Sequence, residues 1–552
     1  MTKSTPFLLL VATLTLVLAA LVAFWIALMP QRILHQIAER FRTEQNLVLE
    51  ARNPKLRFDG GLVLQLESVT LTDGRDNTTA LTARDMSMNA GWSALFGGVV
   101  MADTVTLNAP VLNIDVAAKS NWHSLPARTV IIREGVIKLR DATRNAVVAL
   151  SDVNGRLTTD EGIKLDISFL QGGVITSLAA EADSMARLID TGSPVDISLS
   201  AKDRILSFSG RARFNAGLAL DGQLTAEGGD TGQMLDWLGM PLRSLDGAGA
   251  LSLSAGVSTS GLSATLNNVT GKIDVQDFKG QANIQAGPDR MKLTADLTMA
   301  TLDFLPRKSL LAQGWSEKPF TMADLIALDA DIKLKVDQLV LRGHDQGTAD
   351  VALTTTGGQL LLNATLPAAK LFLAVKPKNQ MLQVDAVVDA KSVEAKTFLG
   401  GLLGFDRFSG PINVELKTTA EGASPAALVS TLKGNISIAA KKAALKGVDL
   451  PEILSTPRQG WQASDNATST GLDFSVEAKI FEGVATLGKA EFAAAGTTVK
   501  AKGEVDLLRQ AFDISLLPKG NVQAIRGSWA SPLFAANASV APAGRPAAVP
   551  AN

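Results

Sequence analysis

Three histidines, no cysteine and no tyrosine leave this 552-residue chain few groups able to move a proton or grip a metal. Acid–base work near neutral pH draws first on histidine, and thiolate chemistry needs cysteine. His35, His123 and His344 stand far apart, with no second ligand at metal-site spacing, and read as solvated or hydrogen-bonded histidines. Gly247-Ala248-Gly249 opens like a dinucleotide fingerprint, but it lacks the third glycine and falls between strands. Asp73-Gly74-Arg75-Asp76-Asn77 is rich in oxygen ligands without the spacing of an EF-hand, so it reads as a hairpin turn. There is no Gly-x-Ser-x-Gly elbow, P-loop or His-Glu-x-x-His. Arg204, Arg211 and Arg213 around Phe208 read as a solvated strand face and not as a stacking platform for nucleic acid. The expectation is a non-enzyme: no catalytic residue, no metal, no cofactor and no nucleic-acid partner.

Composition agrees. Lys+Arg 53 against Asp+Glu 54 gives a formal charge of -1, so no global field attracts a polyanion. Charged residues make up 19% and hydrophobic ones 46%, with Gly 47, which suits turn-rich β-structure better than disorder. The lack of cysteine suits an oxidising compartment without proving one.

What the chain does carry is alternation. Leu472, Phe474, Val476, Ala478 and Ile480 interleave with Asp473, Ser475, Glu477 and Lys479. Ile163, Leu165, Ile167 and Phe169 do the same around Lys164, Asp166 and Ser168. A period of two sends one set of side chains to each sheet face. Similar runs occur at Leu251/Leu253/Ala255, Leu293/Ala295/Leu297, Ile412/Val414/Leu416 and Phe512/Ile514/Leu516. Gly, Asn and Asp punctuate them at turns, so short antiparallel strands are expected throughout. Twice the phase slips by one residue. Leu62/Leu64/Leu66 gives way to Val69/Leu71, and Ile332/Leu334/Val336 to Leu339/Leu341. A β-bulge produces such a slip, and repeated bulges bend a ribbon into a trough. From the residues alone, a closed β-sandwich core is the favoured reading of these apolar faces, ahead of an open trough.

Phe7 to Met29 is uncharged and, as a helix, about 34 Å long, enough to cross a bilayer once. A cleavable signal ending at Val17-Leu18-Ala19 is the competing reading, but the apolar run continues past Ala19 to Trp25. Arg32, Arg40 and Arg42 follow the span and Lys3 precedes it, so charge leaves the orientation open. Residues 32–45 then read as a short helix. Farther on, Leu245–Val275 and Phe408–Ile438 align as an internal repeat. Gly247 matches Gly410 and Gly271 matches Gly434 at one common offset, each copy following a short helix at Gln233–Gly239 or Val393–Leu403. Pro306–Ala327 reads as a loop and short helix between two halves, and the Pro/Ala-rich end from Val540 as a disordered tail.

Val63–Trp122 resembles the start of the AsmA family of proteobacterial envelope proteins. The carrying residues are VLQLESVTLTDG, then LTARDMSMNAGWSALFGGVVMADTVTLNAPVLNIDV, closing on Asn121-Trp122. The far half is similar to that family's C-terminal region through Gly314-Trp315-Ser316, Leu328-Asp329-Ala330-Asp331-Ile332, Leu432-Lys433-Gly434 and Lys446-Gly447-Val448-Asp449-Leu450, and through Arg526-Gly527-Ser528-Trp529 with Pro532. The resemblance implies a single inner-membrane helix and a periplasmic body of long antiparallel sheets curved into a taco-like groove. It also implies a role in phospholipid traffic between the membranes and in outer-membrane biogenesis.

On that resemblance the chain divides into an anchor (1–31), an N-terminal β-region (32–125), a middle β-groove repeat (126–305), a C-terminal groove region (306–535) and a tail (536–552). The expected floor residues for acyl chains are Leu62, Leu64, Leu66, Ile163, Leu165, Ile167, Ile332, Leu334, Val336, Ile412, Val414, Leu416, Leu472, Phe474 and Val476. Membrane lipids are the expected partner. The alternative is an envelope scaffold that assists outer-membrane protein insertion without lipid cargo.

Overall fold

A computed structural model describes residues 29–59, 61–74, 78–90, 102–115, 127–141, 146–214, 218–240, 247–260, 263–287, 290–304, 314–320, 328–450, 452, 461–462, 467–494, 497–517, 523–528 and 531–536. The described residues form two compact units, one falling within 1–230, 250–268 and 286–289, the other within 231–249, 269–285 and 290–552. Both are mostly β, with 5 short helices among the described residues. Of the expected membrane span only Met29 is described, and the expected tail from Val540 lies wholly outside the described residues. No described helix is long and apolar enough to cross a membrane.

Helix α1 (Pro30–Gln45) matches the expected short helix. Pro30 starts it, and Ile33, Ile37 and Phe41 recur every fourth residue to make one buried stripe. Asn46 stops it in a left-handed conformation (φ 55°), donating its N–H to Phe41 O. The stripe joins the core cluster of β1 (Leu47–Phe58), β2 (Leu62–Asp73) and β3 (Thr79–Ala90).

In the first unit these strands run antiparallel in chain order. Next come β4 (Ala102–Asn108) and β5 (Val111–Asp115), both paired with β3, and then β6 (Ala127–Asp141). The pairing of β6 with β4 and β5 is parallel. Antiparallel order then resumes through β7 (Ala146–Thr158), β8 (Ile163–Gln171), β9 (Val174–Ala182), β10 (Ser193–Ala201), β11 (Arg204–Phe214), β12 (Leu218–Gly228) and β13 (Leu251–Ser260). Helix α2 (Met185–Ile189) sits between β9 and β10, and α3 (Thr231–Trp237), which belongs to the second unit, follows β12 in the chain. Strands β14 (Ser263–Ile273) and β15 (Gln276–Ala286) come next in the chain, β14 divided between the units and β15 almost wholly in the second.

The second unit contains β16 (Met291–Phe304) and β17 (Asp329–Leu341), which pair in parallel. Antiparallel neighbours follow: β18 (His344–Asp345), β19 (Ala349–Thr356), β20 (Gln359–Leu366), β21 (Ala369–Lys378) and β22 (Met381–Glu394). Helix α4 (Ala395–Leu403) leads to β23 (Phe408–Ser409) and β24 (Pro411–Gly422), and α5 (Pro425–Thr431) to β25 (Lys433–Lys446). The rest are β26 (Trp461–Gln462), β27 (Thr468–Phe481), β28 (Val484–Ala494), β29 (Thr497–Asp506), β30 (Ala511–Leu517), β31 (Gln523–Ser528) and β32 (Ser531–Ala536). A wholly antiparallel sheet was expected, and the sheet is mixed. The correction falls where the chain has long links, 116–126 and 305–328, because parallel neighbours need a crossover that a tight turn cannot supply.

The internal repeat survives only in part. Gly247 (φ 78°) and Gly410 (φ 99°) share the left-handed conformation that the alignment pairs. Past that point the copies diverge, because α5 occupies the stretch aligned with the start of β14. Ser424 accepts from Ala427 N and Pro425 sets the first helical turn, whereas the other copy has Gly261-Leu262 there.

A line of bulges crosses the first unit. Asn53, Ser68, Ala109, Glu134 and Asp152 all hold φ between 46° and 55°, on β1, β2, the β4–β5 junction, β6 and β7. At each of β1, β2, β6 and β7 two residues face one across the ladder. Leu66 and Val69 therefore both point inward, as the slip in the sequence predicted. At Val336/Leu339 the outcome differs. Met299/Leu302 on β16 changes phase alongside, and the ladder between the two strands keeps its register.

Three bulges share one construction. Gly135 faces Val153, Val393 faces Ile412 and Ala443 faces Leu472, each just past a register shift. In each case the preceding left-handed residue would leave its N–H unpaired. Asn154 Oδ1 accepts it from Glu134 at 2.9 Å, Asn413 Oδ1 from Ser392 at 2.8 Å and Asp473 Oδ1 from Lys442 at 2.7 Å. An unpaired backbone donor costs about 1–3 kcal/mol where it is buried. Asn413→Ala and Asp473→Ala are each expected to lower stability by about 1 kcal/mol in urea unfolding. Lys442→Val should cost about 1–2 kcal/mol, and Lys442→Gly should be close to neutral.

Candidate functional site

The described chemical candidates have the following places. His35 is exposed on α1, His344 lies against Gly400 of α4, and His123 is outside the described residues. Asp73 and Gly74 make a turn, with Asp73 N–H donating to Thr78 O and Gly74 N–H to Asn46 O. Gly249 O accepts from both the backbone N–H and the hydroxyl of Thr231, so the glycine pair anchors the start of α3. Phe208 is buried, and a Cβ on Gly210 or Gly222 would meet its ring at 3.0 Å. The ring covers two facing glycines, which removes it from any nucleic-acid surface. Among the described residues no group of three or more His, Asp and Glu could hold a metal ion.

What remains is the sheet's apolar face. In the first unit one transverse row runs in register through Val130, Leu157, Leu165, Ala180, Ile197 and Phe208, then Leu224 and Ala255. In the second unit a row runs through Leu297, Leu334, Val351, Ala364, Leu371 and Val388, then Leu416, Ile436 and Ala478. Register holds these rows straight because each hairpin fixes its neighbour, and a one-residue slip would turn a whole strand over. From Leu334 through Ile436 the members of the second row are half-buried, so they keep accessible hydrocarbon.

The opposite face carries exposed charged pairs, with apolar residues such as Leu361 and Phe372 scattered among them. Lys335 faces Asp350 and Lys370 faces Asp389, all exposed. Lys378 bridges Glu421 at 2.8 Å and Lys164 reaches Glu181 at 3.4 Å. On β2, hydrogen bonds from Asn53 and Lys55 hold the Glu67 carboxyl below the usual carboxylate range. Exposed pairs of this kind stabilise little, and they keep that face wet.

The expected floor residues fall into two groups. Leu62, Leu64 and Leu66 are sealed in the cluster beneath α1, with Leu66 0% exposed, and offer a ligand no surface. Ile412, Val414 and Leu472 are likewise core, joined by Phe398 of α4, and Val336 and Ile167 are buried in smaller clusters. Ile163, Leu165, Ile332, Leu334, Leu416, Phe474 and Val476 are half-buried on the apolar face. Phe474 belongs to a ladder of rings, 5.4 Å from Phe408 and 6.0 Å from Phe492. Leu353, Leu362, Leu371 and Val388 extend the same face and were not anticipated, although Leu360/Leu362 and Leu371/Leu373 alternate plainly in the sequence.

Of the motif positions, Gly447 holds φ 96° and donates its N–H to Ala467 O. Asp449 Oδ1 accepts from Glu452 N at 2.9 Å, and Leu450 N–H donates to Ser469 Oγ at 2.7 Å. These are structural roles at a chain reversal. Asn121, Trp122 and Trp529 lie outside the described residues.

Comparison with protein-family models, with curated proteins and with solved structures finds no match to this chain.

Two measurements check this geometry. Leu66→Ala should destabilise by about 2–5 kcal/mol, as truncation of a sealed leucine does, whereas Leu371→Ala should cost clearly less in the same denaturant assay. Asp345, in the hairpin after β17, accepts from Gln338 and from Gly347 N–H, which lowers its pKa from the ordinary 3.8. Its contribution is whole above that ordinary value and is lost as pH falls through the lowered one. Hydrogen exchange across 342–347 should therefore accelerate in that acid window, and Asp345→Asn should flatten the dependence.

Proposed function

We propose that this chain is a membrane-anchored, periplasmic, AsmA-like protein that carries lipid acyl chains on its apolar sheet face, moving phospholipid between inner and outer membrane. The observation that supports the reading is the in-register row from Leu334 to Ile436, half-buried hydrocarbon held on one face while the other carries exposed charged pairs.

Physics makes such a surface useful. Each methylene exposed to water costs about 0.8 kcal/mol, so a phospholipid crosses an aqueous gap slowly by itself. A ledge of leucine, valine and isoleucine side chains takes up that hydrocarbon without specific bonds, and the headgroup stays in water. Catalytic residues are not required. The uncharged run Phe7–Met29 would supply the donor bilayer.

Mass spectrometry of lipid retained after gentle extraction tests the proposal. Wild-type protein should hold near-stoichiometric phospholipid. Leu334→Asp with Val476→Asp should cut it by about tenfold or more, since a carboxylate makes the ledge costly for hydrocarbon. Circular dichroism should stay unchanged, because both positions are half-buried. Undiminished lipid in the double variant would remove these strands from the lipid path. Lipid-free wild-type protein would favour the scaffold alternative.

A further inference from the structure

Beyond Val388 and Leu416 the apolar face does not end; it passes under α4. Ala390, Val393, Ile412 and Val414 continue the same strands and are buried, joined in one cluster by Phe398 of the helix. The cover is a poor helix by its own sequence. It has 9 residues, and Gly400 and Gly401 stand in its middle. So short a helix is marginal without tertiary support, and glycine is the weakest helix former after proline.

Those glycines leave room for the side chains of the hairpin that joins β17 to β18. A Cβ at Gly400 would come within 2.7 Å of His344 Nε2, and one at Gly401 would collide with the Gln346 side chain. Gln346 Nε2 donates to Thr397 O at 2.8 Å, where the helix's own turn is being held, and to His344 O at 3.1 Å. Besides the packing of Ala395, Phe398, Leu399 and Leu402 into the cluster, the helix is held by the Gln346 amide, and the His344 ring lies against Gly400. Its ends add two pivots: Ala395 N–H donates to Gly410 O, and Gly404 closes the last turn in a left-handed conformation.

We propose that α4 is a displaceable lid, and that the buried shelf beneath it is a closed compartment of the acyl-binding face. The β17–β18 hairpin is its latch, through Gln346. An acyl chain lying along Leu371, Val388 and Leu416 would extend onto Ile412 and Val414 once the helix lifts. This inference rests on the acyl-carrier reading and adds a gate to it.

Hydrogen exchange of the full-length chain in amphipol, with palmitate as the probe, tests it. In wild-type protein palmitate should speed exchange in peptides covering 395–403 and slow it across 411–422. Gln346→Ala should raise unliganded exchange over 395–403 by about fivefold, the loss of one net hydrogen bond, and tighten palmitate binding by a similar factor. Palmitate bound with 395–403 exchange unaltered overturns the lid and leaves the carrier reading intact, as does unchanged affinity in the variant. Palmitate bound by neither chain overturns both. The wild-type comparison stands even if Gln346→Ala fails to fold.

Discussion

A β-ladder must pair nearly all its amides and carbonyls while sending alternate side chains to opposite faces. Those two demands conflict wherever a strand has to bend. Bending by bulge inserts a residue, and the inserted residue would turn the rest of the strand inside out. This chain resolves the conflict with left-handed residues at Ser68, Glu134, Ser392 and Lys442, followed at once by an inward residue: Val69, Gly135, Val393 or Ala443. Hydrocarbon stays on one side of every bend. The charged face, the shelf under α4 and the transverse rows all follow from that bookkeeping.

Much of this was legible, because a period-two pattern reports facing directly. The slip from Leu66 to Val69 announced its bulge through two large apolar residues separated by two polar ones. The bulges ending at Gly135 and Ala443 were silent, because residues that small do not register as apolar positions. The slip at Val336 carried a different cause. There a parallel neighbour shifts in concert, and a single strand's sequence cannot say whether its partner follows. Burial depth was equally hidden. Leu62 and Leu334 look alike in sequence, yet α1 and its cluster seal one while the other keeps solvent contact.

The two parallel joints explain another blind spot. Local turn signals predict antiparallel neighbours, and they did so correctly for most of the chain. The pairings of β6 and β17 depend on where a long link lands, which is a tertiary outcome. Part of the second link, 314–320, is tied down by bonds distant in sequence. Trp315 Nε1 donates to Leu507 O at 2.7 Å, and Ser316 O accepts from Ala426 N–H at the start of α5. A motif residue there, Trp315, is thereby a structural clasp.

Sheet order follows chain order within each unit once short strands such as β4 and β5 are taken as sharing one place, and β26 pairs out of order with β32. A polypeptide emerging amino-end first would therefore find each strand's template already laid down. Zippering can then keep pace with synthesis, and little sticky backbone waits long for a mate. For apolar strands made without disulfide staples, neighbours close in sequence shorten the time that unpaired edges are exposed.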